Sequence, residues 1–257
     1  MDVKDKVVFI TGGASGIGKA SGLKLGKNDA KVALCDIDKK NGKEAEKEFL
    51  EQGIEAEFFH CDVTNEKSVK NAVDQVVNKW GKIDVAFLNA GIEGPNNKIT
   101  DIDYSDWKKT FEINVNGVFL CAKNILKIME KQGKGNIIIT SSNLGMSALP
   151  NKAAYCSTKG ALIMLGKSIA VDYKNEDIRA NIICPGPVKT PLVTSRWEEI
   201  EDPKKRAEVK EAILNIPQLM EVKEVVNTVH FLASDASQAY NGETFVIDKG
   251  AQAELVE

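Results

Sequence analysis

Short continuous apolar runs alternate with helix-patterned stretches along the whole chain, and that rhythm limits the possible folds more than any other feature. The runs are Lys6–Thr11, Lys31–Asp36, Glu55–Asp62, Ile83–Leu88, Asn136–Ser141, Arg179–Cys184 and Thr244–Asp248. Lys6-Val-Val-Phe-Ile-Thr11 has no polar alternation, as expected of a strand covered on both faces. Helical patterns fill the intervals. One runs to about Lys27, a second over Lys39–Gln52 with Gly53 at its end, and a third from a Thr64 cap through Trp80 to Gly81. Residues 104–132 read as helices, the longer beginning near Asn114, and 153–174 and 222–234 follow. This order predicts an α/β fold, a doubly wound parallel sheet of about seven strands with right-handed crossovers and helices on both faces. No proline-rich linker, repeat or composition break divides the chain, so residues 1–257 are expected to form a single domain. The stretch 191–215 is charged and less regular, and reads as a helical insertion or lid.

Composition removes several classes of function. A hydrophobic content of 43% and a charged content of 28% suit a globular core. A net charge of −3 gives no electrostatic case for nucleic acid or an acidic membrane. No run approaches the length of a membrane span, and Met1-Asp-Val-Lys-Asp-Lys6 lacks a signal-peptide apolar core. The five cysteines, at 35, 61, 121, 156 and 184, form neither a disulfide framework nor a zinc pattern. His60 and His230 have no carboxylate or cysteine at ligand spacing, so no metal site is expected. The expectation is a soluble cytoplasmic protein.

Polar residues and glycines recur where the strands end. Thr11-Gly-Gly-Ala-Ser-Gly-Ile-Gly18 joins the first strand to the first helix. Glycines there allow positive φ and let the backbone approach a pyrophosphate at the helix N-terminus. Their spacing is GxxxGxG rather than GxGxxG, and a glycine-rich turn with no ligand is the alternative. Asp36 ends the second strand, where a carboxylate can accept hydrogen bonds from both hydroxyls of an adenosine ribose. It would repel a 2′-phosphate, and neither Ser15 nor Ile37 offsets that charge, which favours NAD over NADP. Lys39 and Lys40 lie close by, and Asp36 also fits an Asp-x-Asp helix cap with Asp38. Asp62-Val63 and Asn89-Ala90-Gly91 end the third and fourth strands, where doubly wound sheets bind ligands.

Ser142 follows the fifth strand, and Tyr155 and Lys159 lie four apart in a helical segment. That spacing sets both side chains on one helix face. An ammonium beside a phenol favours the phenolate, which can exchange a proton with an alcohol or carbonyl oxygen. A serine hydroxyl within reach can hold the same oxygen. Taken alone, the pair also fits an ordinary surface helix.

Together these residues resemble the short-chain dehydrogenase/reductase family in its compact form. The motifs appear in family order: Thr11-Gly12-x-x-x-Gly16-x-Gly18, Asp62, Asn89-Ala-Gly91, Asn114-x-x-Gly117, Ser142, Tyr155-x-x-x-Lys159 and Pro185-Gly186 with Thr190. The resemblance runs from Val7 to about Gly250. It implies a Rossmann-type sheet and hydride transfer between a nicotinamide and an alcohol or carbonyl carbon. It also implies roles: Tyr155 as general acid/base, Lys159 lowering its pKa and holding the nicotinamide ribose, and Ser142 positioning the substrate oxygen. Asn114 would keep a water in a relay to Lys159, and Val188 and Thr190 would orient the ring through its carboxamide. The implied cofactor positions are Gly12, Ser15, Gly16, Ile17, Gly18, Asp36, Ile37, Asp62, Val63, Asn89, Ala90, Gly91, Tyr155, Lys159, Pro185, Gly186, Val188 and Thr190.

Two positions depart from the family pattern. Leu88 stands where a second Asn is common, and Asp248-Lys249-Gly250 replaces Asp-Gly-Gly. The family often forms homotetramers or dimers through that end and through the helices at 114–132 and 153–174, so Lys249 is expected to bear on a subunit contact. The turn Asn89–Pro95 resembles those of enzymes acting on cyclic ketones and alcohols, with Glu93 and Asn143 facing the pocket and Leu149 as an apolar wall. The lid carries charges of both signs, Arg196, Glu198, Glu199, Lys204, Lys205 and Arg206. That mixture favours a neutral or modestly polar secondary alcohol or ketone. The competing readings are an NADP-linked acyl-carrier ketone reductase, opposed by Asp36, and a non-catalytic dinucleotide sensor, opposed by the Ser142, Tyr155 and Lys159 set.

Overall fold

The seven strands are β1 (Val7–Thr11), β2 (Lys31–Asp36), β3 (Ala56–His60), β4 (Val85–Leu88), β5 (Gly135–Thr140), β6 (Ile178–Pro185) and β7 (Thr244–Ile247). In the computed structural model, which describes residues 1–198 and 200–253, they form one parallel sheet ordered β3-β2-β1-β4-β5-β6-β7. The strand order reverses between β1 and β4, where Val8 pairs with Val32 on one side and Val85 on the other. The doubly wound α/β reading is therefore what the chain adopts. Strand limits differ from the sequence expectation by a residue or two.

The continuous apolar runs follow from the two covered faces. Val7 and Phe9 of β1 enter one core, and Val8 and Ile10 enter the other. The first core is closed by α3 (Glu66–Trp80), α5 (Gly117–Gln132) and α6 (Ala153–Asp172), through Val73, Ile125 and Leu162. The second is closed by α1 (Gly16–Gly26), α2 (Lys39–Glu51) and α9 (Val222–Ala233), through Leu25, Phe49 and Val229. Gly42 lies where α2 crosses β3, and a Cβ there would come within 2.1 Å of the Phe58 ring.

Two local expectations change. The cap of α3 is Asn65, whose side chain accepts from the Ser68 N–H at 3.1 Å. Thr64 instead bonds back to Asp62 through both its hydroxyl, at 2.7 Å, and its N–H, at 3.0 Å. The stretch 104–132 is one continuous rod: α4 (Tyr104–Phe111) passes through a π turn at Glu112–Asn116 into α5. The π turn carries the buried Asn114 and closes with the Gly117 N–H donating to the Glu112 carbonyl. The helical insertion expected at 191–215 is present as α7 (Pro191–Glu198) and α8 (Pro203–Leu214), which share a small core of Val193, Trp197 and Ile213. Met220 belongs instead to the main core, pairing with Val188. Glu199 and the side chain of Arg196, two charges counted in the lid, lie outside the described residues, as do residues 254–257.

Candidate active site

The carboxyl ends of β1 to β6 converge on one side of the sheet. A cleft of about 520 Å³ opens there, lined by Gly12, Ser15, Asp36, Ile37, Asp62, Val63, Ala90 and Gly91, all expected from sequence. Cys61, Thr64, Ile92, Lys109, Glu112 and Ile113 also line it and were not foreseen. Lys109, Glu112 and Ile113 are spaced as neighbours on one helix face, a signal that Asn114 beside them offered.

The glycine turn is built for close backbone approach. Gly12 has φ +65 and Gly16 has φ +53, and a Cβ on Gly12 would meet Ala90 and Asn89 at 3.1 to 3.3 Å. Gly18 serves packing instead, since a Cβ there would fall 2.1 Å from the Gly12 carbonyl oxygen. Ile17 packs against the second core rather than lining the cleft. Ser15, the N-cap of α1, makes no side-chain cap, and the first turn of α1 holds no acidic residue. Its N–H groups thus remain available to an anion such as a pyrophosphate.

Asp36 ties the glycine turn to the start of α2. Its Oδ2 accepts from the Ala14 N–H at 3.1 Å, fixing the glycine turn, and its Oδ1 accepts from the Asp38 N–H at 3.0 Å. Asp38 is the cap of α2, accepting from Lys40 and Asn41 N–H groups at 3.0 Å each. Each Asp36 oxygen has capacity to accept a further bond, and the residue lines the cleft. Ile37 beside it is 62% exposed, an apolar surface at the cleft mouth.

Behind the cleft, Thr11 Oγ1 accepts from the Asn89 N–H at 2.9 Å and the Ala90 N–H at 3.1 Å. Thr140 Oγ1 donates to Asn89 Oδ1 at 3.2 Å, so the ends of β1, β4 and β5 are stitched together. The Thr140 carbonyl accepts from Lys159 Nζ at 3.0 Å. Lys159 is 4% exposed, and burial lowers its pKa from 10.5 to about 8, opposed weakly by nearby Cys184. Its Nζ lies 5.5 Å from the centre of the half-buried Tyr155 ring, one turn back along α6. Gly91 leaves the space this arrangement needs: a Cβ there would lie 3.1 Å from Asn114 Oδ1 and 3.6 Å from Lys159 Nζ.

Asn114 is fully buried and its amide is committed to structure. Oδ1 accepts from the Ile92 N–H at 2.8 Å, and Nδ2 donates to the Ile92 carbonyl at 2.8 Å and to Thr158 Oγ1 at 3.1 Å. Ser142 is buried at the end of β5, its Oγ accepting from the Leu144 N–H at 3.1 Å. Its Oγ also lies at long range from two acceptors, Asn143 Oδ1 at 3.3 Å and the Pro185 carbonyl at 3.4 Å, so the hydroxyl can turn to a better one.

On the far side of the cleft, Thr190 is buried, and a Cβ on Gly16 would lie 3.7 Å from its own Cβ. Gly186 lets the chain pass Asp248, whose Cβ would be 2.9 Å from a Cβ at 186. Glu93 forms an ion pair with Lys152 at 3.2 Å, both side chains largely shielded, and Leu149 is 55% exposed. A glycine turn at a helix N-terminus, a carboxylate at the end of β2 and a cleft at the strand-order reversal suit a dinucleotide.

Comparison with known proteins agrees with that fit. Residues 12–252 match the family model described as enoyl-(acyl carrier protein) reductase. The chain is 35% identical over 254 residues to secoisolariciresinol dehydrogenase of Forsythia intermedia, covering 96% of this chain and 89% of that protein. It is 34% identical over 253 residues to levodione reductase of Leifsonia aquatica, covering 97% and 95%. Against cyclopentanol dehydrogenase of Comamonas testosteroni the identity is 35% over 248 residues, covering 96% and 97%. The crystal structure of levodione reductase superposes with a TM-score of 0.92 at 33% identity, covering 98% of this chain and 99% of that one. That of NAD+-bound xylitol dehydrogenase gives 0.88 at 31%, covering 96% and 99%.

Proposed function

The chain belongs to the short-chain dehydrogenase/reductase family, and we propose that it transfers a hydride between NAD(H) and a neutral secondary alcohol or ketone, with cyclic substrates the first choice. It is an oxidoreductase of a family that binds nicotinamide dinucleotides. The observation that carries the choice of NAD is Asp36: its carboxylate lines the cleft beside the exposed, uncharged Ile37, where a 2′-phosphate would meet negative charge. The cyclic choice draws on relatives named for levodione and cyclopentanol, and on a lid with charges of both signs.

The bound nicotinamide supplies the hydride acceptor, and the chain's own residues handle binding and the proton. Ser142 donates to the substrate oxygen and fixes it. The Tyr155 phenolate takes the hydroxyl proton as the carbon is oxidised, and returns it in the reverse direction. Lys159, whose Nζ lies 5.5 Å from the centre of the Tyr155 ring, favours the negative phenolate and would hold the nicotinamide ribose. Asn114 contributes through its backbone, because its amide is already bonded to Ile92 and Thr158; the π turn puts its carbonyl in an irregular helix where it can hold a relay water. Val188 and Thr190 hold the carboxamide, and α7 with α8 closes over the substrate as a lid.

The enzyme in this reading is one cytoplasmic domain acting as a homo-oligomer. Five free cysteines suit a reducing compartment. Phe119 on α5 and Met164 and Val171 on α6 expose apolar surface that a second copy would cover.

The test is nicotinamide absorbance with NAD and NADP in parallel across cyclic, linear and polyol secondary alcohols, repeated with ketones and acyl thioesters and the reduced cofactors. NAD reduction by a secondary alcohol, with Asp36→Ala moving preference toward NADP, is the expected result. Turnover of acyl thioesters with NADPH alone would replace this reading by the acyl-carrier one. Tight NAD binding with no turnover would favour a sensor.

A further inference from the structure

The turn after β7 touches three parts of the site wall. Asp248 is buried, and its carboxylate accepts from the N–H groups of Gly250 and Gln252 at 3.0 Å each, folding residues 248–252 tightly. Lys249 takes φ 54, a region that favours glycine, and its side chain offsets that strain with specific bonds. Its Nζ lies 3.3 Å from Glu224 Oε2 and donates to the Leu219 carbonyl at 3.2 Å. Met220 next to it donates its N–H to the Pro187 carbonyl and accepts from the Lys189 N–H, at 2.9 Å each. Lys249 therefore braces the strip that carries Val188 and Thr190.

Gln252 reaches the opposite wall. Its amide donates to the Asn143 carbonyl and to Ser147 Oγ, the latter at 2.8 Å. The Asn143 carbonyl is the hub of the 143–147 turn, also accepting from the Met146 N–H at 3.1 Å and the Ser147 N–H at 3.3 Å. Ser142 begins that turn, bonded within it to the N–H groups of Leu144 and Gly145.

We propose that Gln252 is a positioning residue: by clamping the 143–147 turn, it holds the Ser142 hydroxyl where a substrate oxygen can receive it. The consequence for turnover rests on the reading of Ser142 given above, whereas the clamping does not. Two donors from one planar amide, splayed onto a carbonyl and a hydroxyl, fix the turn in position as well as in direction. The task needs both N–H groups, so a glutamate of the same size cannot perform it.

Gln252→Ala and Gln252→Glu, compared with the full-length wild type, test this by amide hydrogen exchange and steady-state kinetics. Expected is exchange at Leu144–Ser147 about fivefold faster in both variants, from loss of donors to the turn. KM for the alcohol should rise about fivefold, with kcat and KM for NAD within about twofold. Ser147→Ala combined with Gln252→Ala should give less than the product of the single effects, because the two share one bond. Unchanged exchange at 144–147, or full rescue by Gln252→Glu, overturns the proposal. If the wild type oxidises no alcohol and reduces no ketone, the reaction reading fails, and the exchange result alone decides the clamp.

Discussion

Lys159 carries its charge into a buried place, and this has a measurable signature. Its ammonium is protonated in the unfolded chain up to about 10.5 but in the folded protein only to about 8, because burial disfavours the charge. Between those values the unfolded state binds the extra proton, so this group's contribution to stability rises with pH across that window and is least favourable below about 8. The Tm difference between wild type and Lys159→Met should therefore move in favour of wild type from pH 8 to 10.5; a flat difference would mean that the lysine is not desolvated. Tyr155→Phe keeps the ring and loses the proton carrier. Turnover should fall at least about a hundredfold while cofactor affinity, measured by fluorescence titration, holds. The placement of Tyr155, Lys159 and Asp36 was legible because each depends on local spacing or on its place at a strand end. The use of the Asn114 amide was not, since its partners lie 22 and 44 residues away. Nor was Gln252, whose partners are 109 and 105 residues away and carry no motif.

Helix α2 shows how one element is held by two glycines for different reasons. Gly42 faces the buried Phe58 ring, which cannot withdraw, so Gly42→Ala should cost about 3 kcal/mol in urea unfolding. Gly53, just past the helix, has φ +74 and nothing within 4 Å, so Gly53→Ala should cost only the left-handed backbone term, about 1 kcal/mol. Equal losses would show that crowding at α2 and β3 relaxes without cost. The existence and type of these elements followed from apolar periodicity, but their junctions did not. Asn65 displaced Thr64 as a cap because Thr64 is held by Asp62, and a periodicity reading gives no weight to that competition. The π turn was equally hidden, since the bonds of Asn114 to the loop after β4 and to α6 are long-range.

In the whole molecule, the site spans the line where β1 meets β4, with the Asp36 carboxylate on one side and Lys159 and Ser142 on the other. The alternating runs made that sheet readable in advance, because a strand covered on both faces leaves a plain trace in sequence. The line also has a kinetic meaning. β1 and β4 meet at Val8 and Val85, so α1, β2, α2, β3 and α3 all lie in the loop that the central ladder closes, and no pair of strands in the sheet is joined by a hairpin. Refolding from urea should recover helical circular dichroism first and NAD binding in a later, slower phase; simultaneous recovery would show the two halves assembling as one. With phases in that order, returning cofactor affinity would act as a clock on folding, marking when the β1–β4 pairing, the one that spans most chain in the sheet, closes.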